Sequence, residues 1–181
     1  MKNTQISGLI FLFAISTSAM SAGVITFTGQ IVTGTCEAKV GKNGSLVNAN
    51  ATIALPTVHS SVFEEIGDTA GRIGFQIALT GDGCTGSNPI STATPYFSYE
   101  TAKVNNAGRV INTDPDTKNT VEIQILNHAS SPINLTENHN DQLLSENSSL
   151  TYQYYAEYYA TADSVAAGPV NGSLTYNVFY K

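Results

Sequence analysis

The chain has 181 residues, a length suited to one domain with a real core. It is 41% hydrophobic but only 12% charged, has no Trp, and carries a formal net charge of -6. The few lysines and arginines are scattered, so no basic patch can neutralise phosphates and nucleic acid is excluded as an expected partner. Thr, Ser and Asn supply much of the polarity, as in an all-β extracellular domain rather than a charged cytosolic enzyme.

Residues 1–22 read as an export signal. Lys2 gives a minimal positive start, and the apolar run 8–15 is too short to span a bilayer. Small residues follow at 16–22, placing cleavage after about residue 19–22. Excluding that segment leaves a strand at residues 23–34 and a domain at residues 35–181. In the strand, Gly23, Ile25, Phe27, Gly29 and Ile31 share one parity, against Val24, Thr26, Thr28 and Gln30 on the other. A flat apolar strand at a free chain end is an aggregation hazard unless something receives it. The expected recipient is another copy of the protein.

Cys36 and Cys84 are the two cysteines, both in the exported part. In an oxidising compartment they are expected to form one structural disulfide. Closing a loop of roughly fifty residues contributes on the order of 4 kcal/mol on the chain-entropy account.

Further along, residues 42–45 read as a turn and residues 51–55 as a short strand stopped by Pro56. Val58, Val62 and Ile66 fall at helical spacing before Gly67, the one helix candidate. Strands are expected at 74–79, with Phe75, Ile77 and Leu79 inward, and at 96–104 and 110–111 around a turn at 105–108. Residues 89–95 and 112–119 read as loops. Val121, Ile123 and Ile125 share one face of a strand at 120–126, and Ile133 and Leu135 begin another. The longest strand candidate is 150–161, with Leu150, Tyr152, Tyr154, Ala156 and Tyr158 on one parity. After a loop at 162–172, Leu174, Tyr176, Val178 and Tyr180 alternate in a closing strand. Short alternating strands separated by turns mean a β-sandwich or barrel.

No catalytic constellation emerges. Residues 81–86 fit a Gly-x-Gly-x-x-Gly pattern, but Ser87-Asn88-Pro89 cannot start the helix a dinucleotide needs. His59, His128 and His139 sit in predicted turns or loops without metal-ligand spacing. Asp114-Pro115-Asp116 lacks the glycine and glutamate of a calcium loop and reads as a turn. Glu64-Glu65 has no partner to tune it. The tyrosines between 152 and 159 could stack on sugars, but alternation puts half of them in the core. The reading is therefore of a non-enzyme with no cofactor, metal or small-molecule substrate.

Several motifs, taken in order, resemble the fimbrial subunits of the chaperone–usher pathway, most of all type 1 fimbrial major subunits. They are the signal; residues 24–32 leading to Cys36; Leu55-Pro56 and Val58 with Phe63 and Gly67; residues 74–79 before Cys84; residues 121–126; Tyr158-Tyr159-Ala160-Thr161; and the penultimate Tyr180. The resemblance implies an incomplete immunoglobulin-like β-sandwich, a pilin fold missing its final strand and completed by donor-strand exchange. It implies that Gly23, Ile25, Phe27, Gly29 and Ile31 form the donor strand. Leu174, Tyr176, Val178 and Tyr180 would line the receiving groove and meet the chaperone strand. The implied partners are other pilus subunits, a periplasmic chaperone and an outer-membrane usher. The implied destination is the cell-surface fimbrium, reached through the periplasm, with a role in adhesion. A minor adaptor or terminator subunit, or a secreted carbohydrate-binding sandwich, are the alternatives.

Overall fold

A computed structural model describes residues 37–42, 44–81, 93–137 and 150–180. The expected export signal, the expected donor strand with Gly23, Ile25, Phe27, Gly29 and Ile31, and both Cys36 and Cys84 lie outside the described residues. Seven strands are described: β1 (Glu37–Lys42), β2 (Ser45–Leu46), β3 (Thr69–Thr80), β4 (Ala93–Phe97), β5 (Val121–Leu126), β6 (Thr151–Ala160) and β7 (Tyr176–Tyr180). They form a five-stranded sheet in the order β2-β1-β3-β6-β5 and a two-stranded sheet of β4 and β7, every pairing antiparallel. The described strands thus form an all-β sandwich of two antiparallel sheets.

Period-two alternation builds this core. Phe75, Ile77 and Leu79 of β3, Val121, Ile123 and Ile125 of β5, and Tyr152, Tyr154 and Ala156 of β6 are all buried. Phe97 of β4 joins them, and Tyr176 and Val178 of β7 pack against the same cluster. Burying a side chain such as Ile77, 1% exposed, contributes about 1.5–3 kcal/mol.

β3 is longer than its alternation predicts because a bulge extends it. Ala70 pairs with Tyr158 but Ile73 with Ala156, so β3 carries one extra residue there. Gly71 takes φ +67° in the bulge, and a Cβ on it would come within 2.8 Å of the Tyr158 ring. Beside the bulge, Arg72 Nε lies 2.8 Å from Glu157 Oε2. Glu157, on the parity opposite Tyr154, is buried, and the Arg72 pair accounts for it.

Several expected elements take other forms. Residues 37–42, not expected as a strand, form β1, and Lys42 pairs with Ser45 of β2 at the two ends of the stretch expected as a turn. Residues 51–55 are extended but belong to no strand, because among the described residues no neighbouring strand pairs with them. The helix candidate shrinks to a 3-10 turn at Ser60–Val62, capped by His59, whose side chain accepts from the Ser61 N–H. Val62 and Ile66 are exposed while Phe63 is buried, so the helical spacing marked no buried face. The strand expected at 96–104 is displaced toward the N-terminus. β4 ends at Phe97, and the N–H groups of Lys103 and Val104 both donate to the Glu100 carbonyl in a turn. Val110 makes only isolated bridges, to Val104 and Ile123, and Leu135 is buried without entering a strand. The closing strand begins at Tyr176, leaving Leu174 in the extended segment before it.

Candidate docking cleft

Two segments without strand pairing face each other across the sandwich. One is residues 49–58; the other is residues 165–175, leading into β7. Among the described residues, no backbone–backbone hydrogen bond involves residues 51–58 or 172–174. A cavity of about 480 Å³ lies between them, walled by residues 49–53 and Leu55 on one side and residues 172–176 on the other. Its floor is core: Phe75, Ile77, Phe97, Val110, Ile123 and Ile125. A second cavity of about 400 Å³ is lined by Thr57, Val58, Ser60 and Phe63 opposite residues 165–170, over Val121 and Tyr158. Successive parts of the same two segments wall both cavities, so these lie end to end in one groove.

The groove is closed at one end by Tyr176, whose hydroxyl donates to the Ala49 carbonyl at 3.0 Å. Burial pushes the Tyr176 hydroxyl pKa above its ordinary value, so it stays a donor. At the other wall, Lys103 Nζ reaches Thr175 Oγ1 at 2.6 Å and Glu100 Oε2 at 2.8 Å. The Lys103 hydrogen bond, followed by that of Thr175, holds the Glu100 carboxyl below the usual carboxylate range. Among the described residues, no charged side chain lines either cavity. Such a site offers apolar pockets and two rows of unpaired main-chain groups, features that suit an extended apolar peptide.

A family model described as "Fimbrial protein" matches residues 25–181. The chain belongs to the fimbrial protein family. Relatives of this fimbrial protein include the F17 fimbrial protein of Escherichia coli, 29% identical over 94% of this chain and 94% of that one. The major fimbrial subunit SMF-1 of Stenotrophomonas maltophilia (strain K279a) is 32% identical over 87% of this chain and 92% of that one. Among solved structures, the P pilus rod subunit PapA matches with a TM-score of 0.54 at 17% identity, covering 87% of this chain and 99% of that one. A chaperone–usher pilus structure matches with a TM-score of 0.54 at 16% identity, over 92% and 100% of the two chains. These two likenesses show the fold.

Of the groove residues expected in this fimbrial protein, Leu174 and Tyr176 line the larger cavity. Val178 packs against the core one step further along β7 but is not part of the lining. Tyr180 pairs with Ala93 at the end of the β4–β7 ladder. Sequence reasoning missed the opposite wall, residues 49–55, and Gly172. Ile53 and Leu55 alternate as strand residues do, so the sequence held no signal that this stretch goes unpaired. Gly172 is set by space: a Cβ there would lie 2.9 Å from Val110 Cγ1, 3.0 Å from Ile123 Cδ1 and 3.1 Å from the Ile111 carbonyl oxygen.

The residues singled out for other chemistry stay apart. Among the described residues no group of three His, Cys, Asp or Glu side chains could hold a metal. His59 serves the 3-10 turn, and His139 lies outside the described residues. Asp114-Pro115-Asp116 is a turn, as expected, with the Asp116 N–H donating to Asp114 Oδ1 at 3.1 Å. The N–H groups of Glu64 and Glu65 donate to Asp68 Oδ2. Of the tyrosines, Tyr152 and Tyr154 are core. Tyr159 lies on the other face with Arg109 stacked 4.0 Å from its ring centroid and bonded to Glu122 Oε2 at 2.7 Å.

Proposed function

We propose that this protein is a structural fimbrial subunit that polymerises by donor-strand exchange. The observation that carries the reading is the groove: an apolar floor between two extended segments whose backbone groups have no ladder partner. Donor-strand complementation of pilins is an established form of β-strand addition. Here the donor is the N-terminal strand of the next subunit, residues 23–34. In this reading Ile25, Phe27 and Ile31 fill successive apolar pockets, and Gly29, with no side chain, allows a close approach of the two backbones.

Burying three large apolar side chains at about 1.5–3 kcal/mol each gives several kcal/mol before ordering costs. Main-chain pairing to 172–175 and 51–58 adds to it. Because donor and groove are different surfaces, the contact is head-to-tail and does not close, which yields a filament. Before assembly the same groove needs a temporary strand, the role of a periplasmic chaperone, with handover at an outer-membrane usher. The product is a cell-surface fimbrium that serves adhesion. Cys36 and Cys84 form a disulfide in this reading. The pairing of Glu37 with Thr80 brings β1 and β3 side by side at the residue after Cys36, which supports it.

The test uses residues 23–181 purified without a chaperone. That protein is expected to be unstable or to oligomerise slowly, and a synthetic peptide of residues 23–32 should rescue it as a stable monomer. A monomer that melts cooperatively and ignores the peptide overturns the reading in favour of an independent binding module.

A further inference from the structure

The two walls of the groove are not held alike. The 171–175 wall is fastened at both ends. Asn171 N–H donates to Asn112 Oδ1 at 3.0 Å, and the Asn171 carbonyl accepts from Thr113 N–H at 2.8 Å and Thr113 Oγ1 at 3.1 Å. At the far end the Thr175 carbonyl accepts from Ser98 N–H at 2.9 Å. Between these fastenings, residues 172–174 make no backbone–backbone hydrogen bond among the described residues, and residues 51–58 of the other wall make none over their whole length.

Asn112 is the hub of the first fastening. It is 1% exposed, and its Nδ2 donates to Thr117 Oγ1 at 2.8 Å. Its Oδ1 also accepts from Asp114 N–H at 3.1 Å. Thr117, itself fully buried, donates from its hydroxyl to the Pro169 carbonyl at 2.5 Å. One planar amide, acting as donor and acceptor together, thus ties the 112–117 turn to residues on both sides of Val170. An aspartate supplies no donor and an alanine neither group, so this linkage is specific to the amide.

We infer that Asn112 is a positioning residue for strand uptake: it holds the 172–174 backbone at the place where an incoming strand must pair. The inference rests on the donor-strand reading. A ladder forms with less ordering cost when one of its edges is already in place, and the gain appears mainly as a slower exit of the bound strand. The 51–58 wall, lacking such fastenings, is the side that adjusts.

The experiment follows release of a fluorescent peptide of residues 23–32 from residues 23–181 of the wild type and its variants. Asn112→Ala is expected to release the peptide about tenfold faster and to raise hydrogen exchange at amides 172–174 of the filled protein. Ile133→Val, a buried change outside the groove, serves as control. It lowers the melting temperature and is expected to leave release within about twofold of wild type. Thr113→Val, which removes one exposed bond to the Asn171 carbonyl, should accelerate release about threefold and decides the matter if Asn112→Ala does not fold. Equal acceleration by Asn112→Ala and Ile133→Val, or none by Asn112→Ala and Thr113→Val, overturns the inference while leaving the donor-strand reading intact. A wild type that never takes up the peptide overturns both.

Discussion

Phe97 meets Tyr154 edge-on, ring centroids 5.1 Å apart and planes at 72°, and this contact joins the two-stranded sheet to the five-stranded one. On its other side Tyr154 stacks on Phe75 at 5.6 Å and 28°. Phe75 and Phe97 are also part of the groove floor. Tyr154 therefore stands directly behind the site, and its packing sets how the floor is presented.

The Tyr154 hydroxyl is buried and has no hydrogen-bond partner among the described residues. Burial pushes its pKa far above the ordinary phenol value, so it stays neutral and adds no pH dependence at ordinary pH. A buried unsatisfied group costs about 1–3 kcal/mol. Tyr154→Phe keeps the ring contacts and removes that group, so the peptide-filled protein should gain about 1 kcal/mol in urea unfolding. A loss of stability would show that the hydroxyl has a role the buried ring does not.

Gly172 packs its bare Cα against Val110 and Ile123. Gly172→Ala forces the wall outward, and the expected cost is about 1–3 kcal/mol in the filled protein. Chemical unfolding of both proteins with the same bound peptide measures it. An unchanged midpoint would mean that the wall yields freely.

Asp68 accepts the N–H groups of Glu65 and Glu64, in that order of effect, and its carboxyl is held below the usual carboxylate range. A lowered folded-state pKa gives stability that is present above the ordinary carboxylate value and is lost as pH falls through the lowered one. Melting temperatures between about pH 5 and pH 2 should fall less steeply for Asp68→Asn than for wild type. Parallel curves would refute the assignment.

Phe27→Asp should leave the chaperone complex intact yet stop fibre growth, because it places a carboxylate in a groove with no charged lining. Electron microscopy of producing cells reads the outcome. Fibres at wild-type density would remove Phe27 from the donor strand.

Much of the core was legible without coordinates. In β3, β5 and β6, alternation named Phe75, Ile77, Leu79, Val121, Ile123, Ile125, Tyr152 and Tyr154 as inward, and all are buried. Periodicity failed where a local pattern had no tertiary consequence. Val58, Val62 and Ile66 have helical spacing, yet His59 and Gly67 leave room for a single 3-10 turn, and the buried residue is Phe63. The site was half visible. Leu174 and Tyr176 alternate as strand residues do, but the facing wall at 49–55 carries no mark that tells an unpaired extended segment from a strand.

Sequence alone determined which side chains of β3, β5 and β6 form the apolar core, since that depends on residue type and a period of two. It also determined the family, through motifs spread from residue 24 to residue 180. Tertiary structure alone decided which extended segments go unpaired, because a β-ladder is made by a partner distant in the chain. The fastening of residue 171 by an amide 59 positions earlier, at Asn112, is of the same kind. Hydrogen bonds between remote residues leave no periodic trace, and here they form one wall of the groove.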